Sequence, residues 1–162
     1  MKKLEKDDRI LCELQGEIFE ESAAEYKTSS AVFVRRYMNS QYASIMDKSG
    51  FIDRPTSVKE AFISLDEQYG KSEYGSKIYS TDELFWIGYV YRCWACIYGL
   101  PSSAIYKICN VRQMHDLYYA YHTMTPENAI ERIMEAKNKP LNDEDQIEYG
   151  VKLLREIRNS KV

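Results

Sequence analysis

The run from Leu84 to Tyr98, LFWIGYVYRCWACIY, constrains the fold of this chain more than any other part of its sequence. Apolar and aromatic side chains occupy almost every position, so a helix over this run has no polar face and must be buried on every side. The run is shorter than the roughly 20 residues that a membrane-crossing helix needs, and Arg92 interrupts it. It therefore predicts a central helix in a protein core and no membrane segment.

Both ends of this central helix carry recognisable signals. Ser80 and Glu83 have the spacing of a capping box at the start. Gly99 favours the left-handed conformation that ends a helix, and Pro101 prevents its immediate continuation. These signals predict a helix over residues 81–98. Arg92, the one charge in the run from Leu84 to Tyr98, is expected to lay its stem along the core and reach an edge or a carboxylate, with a buried functional anchor as the alternative.

Helical periodicity recurs along the rest of the chain, and no stretch alternates with the period of a strand. We predict an all-α, single compact domain of about seven or eight helices around the buried central helix at 81–98. The domain spans residues 1–162, with 1–27 as a more exposed acidic N-terminal helix. The other helices are expected over 30–46, 57–69, from 103 to a break near Asn110, from there to 121, after Thr125, and after Asn142.

Charge and composition narrow the choice of partners. The formal net charge is −3, which argues against a protein coated with nucleic acid or bound to a membrane surface. The N-terminal sequence MKKLEKDDRI is charged and has no apolar core, so we expect no signal peptide and a cytoplasmic location. The 14 tyrosines fit either a protein interface or the rim of an aromatic core. Self-association into a homo-oligomer stays open.

Cysteines and histidines give no convincing reactive site. The pair Cys93 and Cys96 lies late in a helix, whereas a reactive thiol pair favours a helix N-terminus. A zinc site needs further ligands, and His115 and His122 are the only histidines. With no phosphate-binding loop, nucleophile elbow or paired-carboxylate motif, the sequence predicts no enzyme, no metal and no cofactor. A small enzyme using these histidines or cysteines is the remaining alternative.

The corner around Gly99 resembles the helix-turn-helix of bacterial DNA-binding proteins over residues 91–108. Ala95, Gly99, Ile105 and Ile108 satisfy its small, turn and apolar positions, which let two helices cross closely. The resemblance implies that four side chains face DNA and a fifth contacts phosphate: Ser102, Ser103, Tyr106, Lys107 and Arg112. The alternative is a packing corner, which the acidic balance of the chain favours.

Two adjacent arginines in the second helical segment are candidates for contacting a partner. Arg35 and Arg36 stand beside Tyr37, a combination that can hold a phosphate or a carboxylate. The sequence therefore offers Arg35, Arg36 and Tyr37 as possible partner contacts. Ordinary surface arginines are the alternative.

Four segments resemble a group of small bacterial antitoxin-like proteins. They are SSAVFVRRYMNS, ELFWIGYVYR, YKI and YHTMTPENAIERIMEAKN, and they lie within residues 29–138. Such proteins are encoded beside toxin-like proteins, often of the ADP-ribosyltransferase type. The resemblance implies an antitoxin-type interaction module that binds and neutralises a cognate protein partner, and it transfers no catalytic residue. A helix-turn-helix transcriptional regulator is the alternative function.

Overall fold

The described part of the chain consists of helices and their connections, with no strand. A computed structural model describes residues 2–49 and 57–138, together with Arg155 and Arg158. Its eight helices are α1 (Lys6–Glu25), α2 (Ser30–Met38), α3 (Gln41–Ser49), α4 (Val58–Tyr69), α5 (Thr81–Tyr98), α6 (Ser102–Ile108), α7 (Val111–Tyr121) and α8 (Pro126–Asn138). The predicted all-α class is confirmed. The helix predicted after Asn142 lies outside the described residues, apart from the helical Arg155 and Arg158.

The central helix α5 begins and ends where the sequence predicts. The Ser80 hydroxyl accepts a hydrogen bond from the Glu83 amide at 3.2 Å. Gly99 follows the last turn with φ of 63°, in the left-handed region. The reciprocal half of the capping box is wrong, because the Glu83 carboxylate binds His115 and not the Ser80 amide.

Helix α1 runs antiparallel to α5 along most of its length. The Lys2 amide donates to the carbonyl of Ile97 at 2.8 Å, and the Gln15 side chain donates to the carbonyl of Gly88 at 2.9 Å. Ile18 and Phe19 are fully buried in this contact. The acidic helix expected within residues 1–27 is α1, and it combines an exposed face with a buried one. The acidic side chains follow one face of α1, and the opposite face forms part of the core.

Two glycines allow α1 and α5 to approach each other closely. A Cβ atom built on Gly88 would lie 2.5 Å from the carbonyl oxygen of Gln15, well inside van der Waals contact. A Cβ on Gly16 would lie 2.8 Å from the ring of Phe85. At Gly88, the backbone of α1 occupies the space that a side chain would need. The spacing of the two helices therefore depends on the absence of a side chain at this position.

The helix predicted over residues 30–46 is interrupted. Ser40 ends α2 and starts α3: its hydroxyl donates to the carbonyl of Tyr37 at 2.6 Å and accepts from the amide of Ala43 at 3.0 Å. A serine that satisfies free helix-end groups in this way competes with a continuous helix. On α3 beyond the break, Ile45 is exposed, whereas Tyr37 and Met38 on α2 are both buried.

The C-terminal half of the described chain follows the predicted caps. Asn110 and Gln113 form a reciprocal capping box at the start of α7, with both hydrogen bonds at 3.0 Å. The Thr125 hydroxyl accepts from the amide of Asn128 at the start of α8. One hydrophobic cluster extends from Leu4 to Ile133 around α5. Among the described helices, none combines the length and apolar character of a membrane span.

Candidate functional site

A buried polar network joins five helices around Arg92, which is 1% exposed. Its guanidinium donates to Asp47 Oδ1 at 2.7 Å and to Gln15 Oε1 at 2.9 Å. The hydroxyl of Tyr37 donates to the same Gln15 oxygen at 3.0 Å. The second Asp47 oxygen accepts from the backbone amide of Ser102 at 2.8 Å. The network therefore connects α1, α2, α3, α5 and the start of α6.

The side chains around Arg92 stabilise its positive charge inside the protein. Burial disfavours the charged guanidinium, but the interactions with Tyr37 and Asp47 outweigh it and raise the pKa of Arg92 above its ordinary value. The prediction that this arginine reaches a carboxylate is confirmed. Its partners Asp47 and Gln15 lie on other helices, far away in sequence, so no local pattern identifies them.

Two of the proposed contact residues belong to this network and not to the surface. Ser102, expected to face DNA, is 1% exposed, and its hydroxyl donates to Asp47 Oδ1 at 2.7 Å. Tyr37, expected to contact a partner, is 0% exposed because its ring packs edge-on against Phe19. Both expectations are wrong for the same reason: the side chain satisfies the buried network or fills the core beside it.

The other sequence-predicted residues are accessible to different degrees. The turn between α5 and α6 is present, with Lys107 and Arg112 exposed and Ser103 and Tyr106 partly exposed. Whether this corner contacts DNA stays a prediction. On α2, Arg35 is exposed, and the Arg36 guanidinium lies 5.5 Å from the centre of the Tyr69 ring.

An aromatic face lies on the outer side of α5 and α7. We define it by six residues that are partly or fully exposed: Phe85, Trp86, Tyr89, Tyr118, Tyr119 and His122. The two helices meet where the Trp86 ring packs edge-on against Tyr118, with centroids 5.6 Å apart. Tyr118 in turn stacks on His122 at 4.6 Å. At the edge of the face, Tyr119 is 88% exposed.

The aromatic face corrects the expectation that α5 is buried on every side. The rings of Phe85 and Tyr89 stack with centroids 5.9 Å apart on a partly exposed surface. Trp86, the next residue after Phe85 in α5, is also partly exposed. The residue types in α5 could have indicated which of its faces is exposed. Tryptophan and tyrosine have polar atoms that suit a surface open to water on one side, whereas the inner positions of α5 hold Leu84, Ile87 and Val90.

The two histidines have separate environments. The Nδ1 atom of His115 lies 2.8 Å from both carboxylate oxygens of the buried Glu83. Its ring stacks on Tyr79 with centroids 4.0 Å apart and an interplanar angle of 5°. His122 instead lies on the exposed end of α7, with Nδ1 2.9 Å from the carbonyl oxygen of Tyr118. The first histidine is held in one orientation by a carboxylate and a ring.

The four cysteines are free; Cys12, Cys93 and Cys109 are buried, and Cys96 is partly exposed. The Sγ atoms of Cys12 and Cys93 lie 3.0 Å apart between α1 and α5. The hydrogen bond with Cys93 raises the pKa of Cys12, and burial raises the pKa of Cys109 to about 11. Within the described ranges, no group of three or more Cys, His, Asp and Glu side chains could hold a metal ion.

Comparison with known proteins does not add a family or a relative. No model of a protein family, no curated protein and no solved structure matches this chain.

Proposed function

We propose that this chain is a protein-interaction module of antitoxin type, which binds and neutralises a cognate protein toxin. The observation that carries the proposal is the aromatic face on α5 and α7. Tyrosine and tryptophan are enriched where proteins bind one another, because their rings bury a large area with few rotatable bonds. The resemblance of four segments to antitoxin-like proteins supplies the class of partner.

The aromatic face has the features of a binding surface that is organised before the partner arrives. The Trp86–Tyr118 and Tyr118–His122 contacts hold these rings in place. A partner therefore loses little free energy in ordering them. Tyr119, 88% exposed beside them, has most of its ring available for burial. We expect Trp86 and Tyr119 to contribute most of the binding free energy.

The test begins with the protein purified gently at native level from its own cell, by light scattering and mass spectrometry. The proposal predicts a second protein in stoichiometric amount. A chain recovered alone or only as a homo-oligomer would contradict the antitoxin function.

The surface is tested by titration calorimetry of the identified partner with Tyr119→Ala. Truncating an aromatic side chain that anchors an interface costs about 2 kcal/mol, so the affinity should fall roughly thirtyfold. Tyr74→Ala is the matched control, because Tyr74 is 75% exposed on the segment between α4 and α5 and does not belong to the aromatic face. Equal affinities for the two variants would show that the partner binds elsewhere.

A further inference from the structure

A second surface feature, separate from the aromatic face, is a cleft between the 75–79 segment and α7. Its volume is about 480 Å³, and its lining includes Lys77, Arg112, His115 and Asp116. We call it the basic cleft. Ser29 and Ala31, at the first turn of α2, form the opposite wall.

Two positively charged side chains, Lys77 and Arg112, line the basic cleft together with Tyr79. The Lys77 ammonium lies 5.9 Å from the centre of the Tyr79 ring. Burial and the Glu83 carboxylate raise the pKa of the Tyr79 hydroxyl, and the positive charge of Arg112 opposes that rise. Asp116 is the acidic side chain of the lining, and its negative charge opposes the positive charges of Lys77 and Arg112.

His115 adds a positioned nitrogen to these charges. Glu83 engages Nδ1 from within the protein at 2.8 Å, and the stacking on Tyr79 fixes the plane of the ring. Nε2 is the ring nitrogen that remains for a ligand in the cleft. With Nδ1 engaged by the carboxylate and the ring plane set by Tyr79, the direction of Nε2 is set as well.

We propose that the basic cleft binds the phosphate group of a small anionic ligand. Lys77 supplies a mobile charge, and Arg112 supplies a guanidinium that matches two phosphate oxygens. The His115 ring, held by Glu83 and Tyr79, forms part of the lining beside them. The first turn of α2 places the positive end of its dipole on the same side of the ligand. The site is independent of the proposed antitoxin function, and either can fail without the other.

Inorganic phosphate is the probe for this site. We would follow the backbone and His115 side-chain signals of the full chain by two-dimensional NMR during a phosphate titration at constant ionic strength. Saturable shifts confined to the 75–79 segment, the start of α2 and α7 are expected. Shifts that do not saturate, or that spread evenly over the surface, would overturn the proposal.

Two charge variants and one control make the test specific. Arg112→Gln should weaken phosphate binding about tenfold, since a charge-assisted hydrogen bond is lost. Asp116→Asn should strengthen it severalfold, because the opposing charge is removed. Both side chains are exposed, so neither change should unfold the protein.

Arg132→Gln is the matched control, because it removes the same charge from an exposed position on α8. An equal loss of affinity in Arg112→Gln and Arg132→Gln would show non-specific attraction and refute the site. A parallel titration with acetate distinguishes the ligand chemistry. Binding of acetate as tight as that of phosphate would refute selection for a phosphate group.

Discussion

Substituting Gly88 by alanine tests the close approach of α1 and α5. The added Cβ would lie 2.5 Å from the carbonyl oxygen of Gln15 and 2.8 Å from the ring of Phe19. The first of these atoms belongs to the backbone of α1 and cannot rotate away. The helix must therefore move outward by about 1 Å to restore an ordinary contact, since carbon atoms pack at roughly 3.5–4 Å.

The size of the effect follows from two opposing contributions. Forcing an extra carbon into a well-packed contact costs about 1–3 kcal/mol. Alanine recovers about 1 kcal/mol, because glycine is the poorer helix former. The movement also strains the hydrogen bond from the Gln15 side chain to the Gly88 carbonyl, which is 2.9 Å long. We expect a net loss of about 1–2 kcal/mol in the free energy of unfolding.

Gly16→Ala is the matched control on the facing helix. Its Cβ would meet the ring of Phe85 at 2.8 Å, but that ring is partly exposed and can turn away. The helix-propensity gain then offsets most of the cost, and stability should stay within about 0.5 kcal/mol of the parent.

The assay is urea unfolding followed by circular dichroism, with the midpoint and slope compared among the three proteins. Gly88→Ala should shift the midpoint downward with an unchanged slope. A Gly88→Ala protein as stable as the parent, or a Gly16→Ala protein that loses as much, would refute the argument that backbone contact sets the helix spacing.

Three further predictions concern the interior. Asp47→Asn leaves the buried Arg92 without its carboxylate and should lower the free energy of unfolding by about 3 kcal/mol in the same urea assay, whereas Asp116→Asn at an exposed site should change it little. The raised pKa values of Cys12 and Cys109 keep both thiols protonated, so a thiol reagent at neutral pH should label them slowly in the folded protein and fast in urea. Because the unfolded thiol ionises first, stability should fall as the pH rises from about 9 toward 11, the folded pKa of Cys109; a stability that is flat over this range would contradict its burial.

Local signals predicted the helix ends well. Ser80, Gly99 and Asn110 act on groups within a few residues of themselves, so their roles depend little on the rest of the fold. The break at Ser40 was missed, although serine is also a capping residue. The apolar pattern on both sides of Ser40 is compatible with one continuous helix. The packing of α3 decides whether the helix continues or breaks there.

Contacts between distant helices could not be predicted in the same way. The glutamates of α1 indicated an exposed helix, but Glu13 and Glu17 are four residues apart and share one face, which leaves the other face for the core. Ser102 was assigned to a DNA-facing surface by the helix-turn-helix resemblance, and Tyr37 to a partner contact by its position beside Arg35 and Arg36. Their burial depends on Asp47 and Gln15, whose positions follow only from the assembled helices.

The network around Arg92 has a consequence for how the protein opens and closes. Its bonds join residues separated by 77, 45 and 55 positions along the chain, so no short segment can form it alone. A partly opened form that releases one helix leaves a guanidinium, a carboxylate or an amide without a partner in a mostly dry interior. Full unfolding gives the same groups to water. The network therefore raises the free energy of such partial states, and it makes the amide of Ser102 a reporter of cooperative opening in hydrogen exchange.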